Sequence, residues 1–228
     1  MATIDAPVLT IDGPSGSGKG TIARQVAEAL GWHLLDSGAL YRLAALAAAR
    51  QGVAADDEAA VARLAQSLPV RFSTAADGGE QIWLDGEEVS REIRSEECGR
   101  RASTVAVLPA VREALLGMQR QFRQPPGLVA DGRDMGTRVF PDATVKVFLT
   151  ASAAERARRR HKQLKDKGID VSLPALSRDI EDRDRRDTER SADPLRPADD
   201  ARILDSSDQT IDEVTRTVLS WVREHVTA

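Results

Sequence analysis

The sequence predicts an α/β fold in which a five-stranded parallel sheet carries helices on both faces. Short apolar runs, typical of buried strands, alternate along most of the 228-residue chain with longer segments of helical periodicity. A glycine-rich loop follows the first apolar run and leads directly into a helix. Because such alternation is typical of parallel sheets, whose ligands bind at the carboxyl ends of the strands, we expect a functional site beside this loop.

Five segments have the composition of buried strands, namely Val8–Asp12, His33–Asp36, 128–131, 145–149 and Arg202–Asp205. Helices are predicted between and after them at 20–30, 38–51, 57–68, 95–107, 109–124, 152–167, 173–188 and from 210 onward. Several begin at recognisable capping residues: Ser37, Asp57, Ser152 with Glu155, and Thr210 with Glu213.

One stretch departs from the alternation of strand and helix. Residues 70–73, 81–84 and 87–89 are short strand-like pieces, and the last two are joined by Asp85-Gly86, a strong hairpin-turn signal. The sequence therefore predicts a small antiparallel insert in an otherwise parallel fold.

Composition excludes several classes of protein. Hydrophobic residues make up 41% and charged residues 30%, which is typical of a folded chain. No apolar stretch approaches the roughly 20 residues needed to cross a bilayer. The single cysteine, Cys98, can form no internal disulfide, and a net charge of -4 argues against bulk nucleic-acid binding. We expect a cytoplasmic protein with neither a membrane nor a nucleic acid as partner.

The most informative motif is Gly-Pro-Ser-Gly-Ser-Gly-Lys at residues 13–19. Its glycine spacing, its final lysine and its place between strand and helix are typical of a loop that cradles phosphates. Backbone N–H groups and the helix N-terminus face the phosphates, and Lys19 reaches the β and γ positions. The predicted nucleotide-binding residues are Gly13, Pro14, Ser15, Gly16, Ser17, Gly18, Lys19, Gly20 and Thr21.

The residue after the lysine departs from the usual pattern. Such loops carry Ser or Thr there as a magnesium ligand, but this chain has Gly20, and the hydroxyl of Thr21 lies about 100° further around the helix. We expect Mg²⁺ to be held through phosphates and water, with Asp131 as the candidate that organises the waters. Gly-Lys-Gly-Thr is the form found in nucleoside monophosphate kinases.

Two further motifs extend this resemblance over nearly the whole chain. Residues 36–42 read Asp-Ser-Gly-Ala-Leu-Tyr-Arg, and residues 131–137 read Asp-Gly-Arg-Asp-Met-Gly-Thr. Together with residues 13–21 they resemble the bacterial cytidylate kinase family. The resemblance implies a P-loop nucleoside monophosphate kinase fold, with 1–228 as one domain, an insert that binds the monophosphate at about 65–107 and a helical lid at about 156–190. It also implies a monomer of pyrimidine metabolism that uses ATP and Mg²⁺ to convert CMP and dCMP into CDP and dCDP by direct in-line transfer.

Transfer of a phosphoryl group between two anions requires dense positive charge. Arg42 and Arg133 follow predicted strands and are candidates to hold the acceptor phosphate. Further arginines, at 156, 158–160, 183, 185, 186 and 190, are candidates for a lid that closes on the transferred group. An alternative interpretation pairs them with Glu181, Asp182 and Asp184 on a solvated helix face. The resemblance favours Arg183 and Arg190, so the predicted catalytic residues are Lys19, Arg133, Arg183 and Arg190.

The base of the acceptor nucleotide can be predicted from the hydrogen-bonding groups along its edge. Cytosine offers an amino donor at N4 and acceptors at N3 and O2, so its pocket needs a carboxylate beside a guanidinium, which Asp134 and Arg112 supply. By resemblance Ser103 adds a hydroxyl to the base contact, and Asp187 with Arg183 contacts the sugar. The resemblance also places Ser37 and Tyr41 with Arg42 among the substrate-binding residues.

Two alternatives remain open at this stage. One is a kinase of the same type that acts on another small acceptor, such as UMP or AMP. The other is a nucleotide-gated nucleic-acid binder that uses the arginines at 156–160, although aromatic residues, at 4%, are few for stacking on bases.

Overall fold

The structure is a computed structural model that describes residues 6–74, 80–166, 168 and 170–226. The strands are β1 Val8–Asp12, β2 His33–Asp36, β3 Val70–Thr74, β4 Glu80–Leu84, β5 Glu87–Glu88, β6 Leu128–Gly132, β7 Val145–Thr150 and β8 Arg202–Asp205. The helices are α1 Lys19–Leu30, α2 Ser37–Arg50, α3 Glu58–Gln66, α4 Glu96–Val105, α5 Pro109–Gln121, α6 Ala153–Asp166, α7 Leu173–Glu189 and α8 Ile211–Val226. The described chain forms two compact units, one made of the residues up to Asp36 and from Arg120 onward, the other of Ser37–Gln119.

The first unit contains a five-stranded sheet in the order β2-β6-β1-β7-β8, with every neighbouring pair parallel. This confirms the predicted sheet and all five of its strands. The register places Asp131 of β6 between Ile11 of β1 and Asp36 of β2. The carboxyl ends of these three strands therefore lie side by side at one edge of the sheet.

The core of this unit lies between the sheet and two helices. Leu9 and Ile11 of β1 pack in one cluster with Val26 of α1 and Val218 of α8, and all four are essentially inaccessible to water. Burying a large aliphatic side chain contributes roughly 1.5 to 3 kcal/mol. All five residues of β1 are buried, so both faces of this central strand are covered.

The second unit combines helices with the antiparallel insert. Strands β3, β4 and β5 form a three-stranded antiparallel sheet, as predicted. Asp85 and Gly86 connect β4 to β5 with φ values of 52° and 79°. Two consecutive positive φ values define the hairpin turn that the Asp-Gly dipeptide predicts.

The helix boundaries differ from the predicted ones by a few residues, which is ordinary for helix ends. Helix α2 begins at Ser37 itself, whose hydroxyl accepts a hydrogen bond from Gln119 Nε2 at 2.9 Å. The predicted cap at Asp57 is confirmed, since its carboxylate accepts from the Ala60 N–H. Thr210 and Glu213 form a complete reciprocal capping box before α8. The predicted end of α6 at 167 lies outside the described residues.

Two short elements were not predicted, a 3-10 turn at Glu92–Arg94 and a π-helical turn at Met135–Val139. The π-helical turn depends on a distant residue. The carboxylate of Asp12, at the end of β1, accepts hydrogen bonds from the N–H groups of Met135 and Gly136, each at 2.8 Å. Local sequence patterns do not report such a contact. Among the described residues no helix is both long and apolar enough to span a membrane.

Candidate active site

Residues 13–18 form the loop between β1 and α1, as the motif predicts, and Lys19 is the first residue of α1. Gly13, Gly16 and Gly18 have φ values of 150°, 78° and 95°. At Gly13 a Cβ atom would lie 2.0 Å from the carbonyl oxygen of Leu149, at the end of β7. Glycine is therefore required at this position by both space and backbone conformation.

Several carbonyl groups of the loop are held by side chains. Arg156 Nη1 donates to Ser15 O at 2.9 Å, and Ser206 Oγ donates to Ser17 O at 3.3 Å. Lys19 Nζ donates to Pro14 O at 2.8 Å. In a planar trans peptide the N–H points away from the carbonyl, so these bonds also set the direction of the following amides.

Lys19 is buried at the start of α1. Burial, together with the charges of Arg133 and Arg183, lowers the pKa of its ammonium group to about 7, although Asp131 and Asp187 raise it. The ammonium group of Lys19 is thus subject to the charges of Asp131, Arg133, Arg183 and Asp187. A phosphate anion beside Lys19 would favour its charged form.

Asp131 lies directly across from Gly20. A Cβ atom at Gly20 would come within 3.3 Å of Asp131 Oδ2. Burial raises the pKa of Asp131 to about 6, with Lys19 lowering it and the neighbouring Asp36 raising it. Thr21 is exposed. Phosphate loops usually carry a hydroxyl group at the position of Gly20. In this chain the Asp131 carboxylate lies beside that position instead.

Asp12 organises the loop that carries Arg133 and Asp134. It is buried, and burial raises its pKa to about 7, although the N–H bonds from Gly136 and Met135 lower it. Sequence analysis missed this residue. A carboxylate at the end of an apolar strand, one residue before the glycine loop, was the signal that could have revealed it.

Two ion pairs join this loop to α7 and its end. Arg133 Nε donates to Asp187 Oδ2 at 2.8 Å, and Arg190 Nη2 lies 3.3 Å from Asp134 Oδ1. Burial favours the neutral form of Asp187, but Arg133 and the other nearby arginines outweigh it and lower the pKa of this carboxyl. Asp187 in turn outweighs burial and raises the pKa of Arg133. The first unit therefore brings Lys19, Asp131, Arg133, Asp134, Arg183, Asp187 and Arg190 to one region.

The other predicted substrate residues belong to the second unit. Arg42 Nη1 donates to Ile93 O at 2.7 Å and lies against Gly99 of α4. The Arg112 guanidinium lies over the Tyr41 ring, 5.9 Å from its centroid, and Nη1 donates to Ala106 O at 3.2 Å. Ser103 Oγ is buried and makes no hydrogen bond within the described part of the chain.

Four of the candidate lid arginines fall into two groups of two. Arg158 and Arg185 pair with acidic residues on their own helices, Glu155 and Asp182, as the solvated-face interpretation predicts. Arg156 and Arg159 are turned inward instead. Arg159 Nη2 donates to Ser206 O at 2.5 Å, and Arg156 holds Ser15 O and the Asp184 carboxylate. These two guanidinium groups support the loop and its surroundings.

The fold and this site define a P-loop kinase: a phosphate loop with a buried lysine lies beside arginines and carboxylates at the carboxyl ends of parallel strands. The family model of cytidylate kinase matches residues 9–224, and the chain belongs to that family.

Individual relatives agree. The chain is 61% identical over 219 residues to a cytidylate kinase of Methylococcus capsulatus, covering 96% of this chain and 98% of that one. It is 57% identical over 221 residues to a cytidylate kinase of Aeromonas salmonicida, covering 97% and 96%. Among solved structures, a gluconokinase from Sinorhizobium meliloti aligns with a TM-score of 0.50 at 15% identity, covering 97% of this chain and 94% of that one. The last similarity concerns the fold alone.

Proposed function

We propose that the protein transfers the γ-phosphoryl group of ATP to CMP and dCMP, giving CDP and dCDP by direct in-line displacement. The observation that carries this proposal is the placement of the phosphate loop, with Lys19, beside the Arg133–Asp187 and Arg190–Asp134 pairs. Membership of the cytidylate kinase family supports the choice of acceptor. The reaction needs little covalent chemistry from the protein, because positioning and charge stabilisation dominate phosphoryl transfer.

On the donor side, the loop residues 13–21 hold the ATP phosphates. Lys19 places its ammonium group where charge builds between the β and γ phosphates. Burial lowers the pKa of Lys19 to about 7, and the negative charge of phosphate oxygens beside it would raise this pKa and favour the charged ammonium group. No general base is required, since the second pKa of a monophosphate is about 6 and the attacking oxygen is already deprotonated near pH 7.

Mg²⁺ supplies charge neutralisation to the phosphate oxygens of the donor when bound. The chain fits this ion through Asp131, a buried carboxylate that faces Gly20, where a carboxylate can accept hydrogen bonds from metal-bound waters. Within the described ranges no group of three or more His, Cys, Asp or Glu side chains is arranged to hold a metal alone. We assign Asp131 the role of orienting these waters, because its carboxylate faces Gly20.

On the acceptor side, we assign Arg42, Arg133 and Arg190 to the phosphate, together with Arg183 and with Ser37 and Tyr41 beside Arg42. We assign Asp187 and Arg183 to the sugar, and Asp134, Arg112 and Ser103 to the cytosine base. The buried and unbonded hydroxyl of Ser103 supports its role, because a buried polar atom is stabilised by a partner that a ligand can supply. We also propose that the enzyme is a monomer and that it acts in the cytoplasm, where its nucleotide substrates occur.

The experiment is a coupled assay of ADP release with ATP and Mg²⁺ across CMP, dCMP, UMP and AMP. We expect the specificity constant, kcat/KM, to be highest for the two cytidine nucleotides. Equal values for all four acceptors, or a preference for AMP, would show that the assigned base contacts are wrong. Turnover confined to an acceptor outside this set would overturn the proposed function itself.

A further inference from the structure

The guanidinium group of Arg156 lies at the junction of four segments of the first unit. Nε donates to Ala151 O at 3.0 Å, just after β7, and Nη1 donates to Ser15 O in the phosphate loop at 2.9 Å. Nη1 and Nη2 also donate to the two carboxylate oxygens of Asp184 on α7, at 3.0 and 2.5 Å. Arg156 itself belongs to α6. One side chain thus ties β7, α6, α7 and the phosphate loop together.

This contact differs from an ordinary ion pair on a helix surface. The Arg156 side chain is 6% exposed and that of Asp184 is 25% exposed, whereas the nearby Arg185–Asp182 pair on α7 is 62% and 54% exposed. Exposed pairs contribute little, while a buried bidentate pair holds its partners in one geometry. A Cβ atom at Gly16 would lie 3.2 Å from Arg156 Cβ, so loop and helix are in close contact.

The bond to Ser15 O has a direct consequence for phosphate binding. Because the peptide is planar and trans, the Gly16 N–H points away from the Ser15 carbonyl and hence away from Arg156. Arg156 therefore holds the Ser15 carbonyl directed towards α6. The Gly16 N–H then faces the opposite side of the loop. The orientation of this amide depends on the position of the guanidinium group.

The bond to Asp184 reaches the residues assigned to the acceptor. Asp184 follows Arg183 in α7, and Asp187 lies one helical turn further on, where it pairs with Arg133. A displacement of α7 would thus be felt both at the loop, through Asp184 and Arg156, and at Arg133, through Asp187. The phosphate loop and the acceptor side share a mechanical link.

We propose that Arg156 and Asp184 are positioning residues that couple the two substrate sites, so that binding of ATP to the loop strengthens binding of CMP. This inference rests on the proposed function, because it assumes that Arg183, Asp187 and Arg133 serve the acceptor. Neither residue touches the reacting atoms. Their effect is on the free energy that links the two binding events.

The test is a measurement of the dissociation constant of CMP with and without a saturating, non-hydrolysable ATP analogue and Mg²⁺. In the wild type we expect the analogue to tighten CMP binding at least about fivefold. Asp184→Asn removes the charge that holds Arg156, and we expect its coupling ratio to fall towards one. The exposed neighbour Asp182→Asn is the matched control and should keep the wild-type ratio.

A coupling ratio in Asp184→Asn equal to that of the wild type would overturn the inference, as would an equal loss in Asp182→Asn or the absence of coupling in the wild type. Arg156→Lys tests the other partner, and the double variant should lose no more coupling than either single one. A merely structural role would lower the melting temperature but leave the ratio unchanged. Failure of the wild type to phosphorylate CMP would instead overturn the proposed function.

Discussion

Nη2 of Arg190 lies 3.3 Å from Oδ1 of Asp134, and both side chains are almost completely buried. Sequence analysis assigned Asp134 to the base and Arg190 to the lid that closes on the transferred phosphoryl group. In the structure they are neighbours. If Asp134 binds the base as proposed, a cytosine amino group would share its carboxylate with Arg190, and one ion pair would connect base selection to phosphate binding.

The Asp134→Ala variant should lose selectivity for cytosine. In the proposed assignment the Asp134 carboxylate accepts from the N4 amino group of cytosine, whereas the O4 atom of uracil is an acceptor and would be repelled. Loss of a hydrogen bond to a charged group costs about 1.5 to 3 kcal/mol, or roughly ten- to a hundredfold in kcat/KM for CMP. The value for UMP should fall less, or rise.

The measurement is kcat/KM for CMP and UMP in the wild type, in Asp134→Ala and in a control, Asp142→Ala. Asp142 forms a surface pair with Arg123 and should leave both values unchanged. If CMP and UMP fall by the same factor in Asp134→Ala, the residue acts through Arg190 on the shared phosphate network and our assignment to the base is wrong.

The Lys19→Ala variant should abolish phosphoryl transfer without unfolding the protein. It removes the ammonium group that we assign to the β and γ phosphates, and it also removes a buried charge, so stability should not suffer greatly. A single-turnover assay measures phosphoryl transfer, and far-UV circular dichroism checks that the variant is folded. Lys162→Ala, an exposed change on α6, is the control. Near-normal turnover in a folded Lys19→Ala protein would contradict the phosphate-loop assignment.

The helices α6 and α7 should become resistant to protease when both substrates are bound. A kinase that gathers its arginines on closure keeps water from the γ-phosphate until the acceptor arrives, so ATP hydrolysis without acceptor should be slow. Limited trypsin digestion, with cleavage between Arg156 and Arg190 mapped by mass spectrometry, tests this. Cleavage that is unchanged by an ATP analogue plus CMP, or by a bisubstrate mimic, would refute the lid.

Replacing Gly13 by Ala should disrupt the phosphate loop. The new methyl group would lie 2.0 Å from the Leu149 carbonyl oxygen, and a φ of 150° is unfavourable for alanine. We expect ATP affinity to fall by about tenfold or more, because the loop must shift away from β7. Gly117→Ala is the control. It lies in α5, where the added group meets no atom within 4 Å apart from its chain neighbours and the nearby helix backbone, and it should raise the free energy of unfolding by up to about 1 kcal/mol.

Asp12 should make stability depend on pH. Because burial raises its pKa to about 7, the folded protein binds more protons than the unfolded one between roughly pH 4 and pH 7. The stability contributed by this protonation is present at low pH and is lost as pH rises through 7. Between pH 6 and pH 8.5 the loss from this one group is on the order of 1 kcal/mol.

Asp12→Asn removes the titration of this residue. Urea unfolding of the wild type and the variant at both pH values therefore separates the contribution of Asp12 from that of other titrating groups, such as Lys19. Asparagine keeps one oxygen as an acceptor, so the variant loses one of the two bonds from the Met135 and Gly136 N–H groups, and this loss lowers its stability by the same amount at both pH values. We therefore expect the wild type to lose more stability than Asp12→Asn between pH 6 and pH 8.5. Equal losses in the two proteins would show that Asp12 does not titrate in this range.

Local patterns in the sequence were sufficient for the sheet strands, most helices, the Asp85-Gly86 hairpin and the phosphate loop. Each of these depends on residues that are close together in the chain: the apolar period, the cap and the glycine that a positive φ requires. The same holds for the chemistry expected at Lys19, because the loop that surrounds it is continuous in sequence. The family resemblance also rested on short, contiguous motifs.

Tertiary structure decided the partners of the charged side chains. No local pattern indicates that Asp12 accepts hydrogen bonds from Met135 and Gly136, which are 123 and 124 residues away. Nor does any local pattern indicate that Arg156 donates hydrogen bonds to Ser15 and Asp184. An arginine at a given helix position satisfies a periodic pattern equally well in solvent or turned inward. What distinguishes the two is burial, since a charge removed from water must find partners, and only the packed chain determines which groups are within reach.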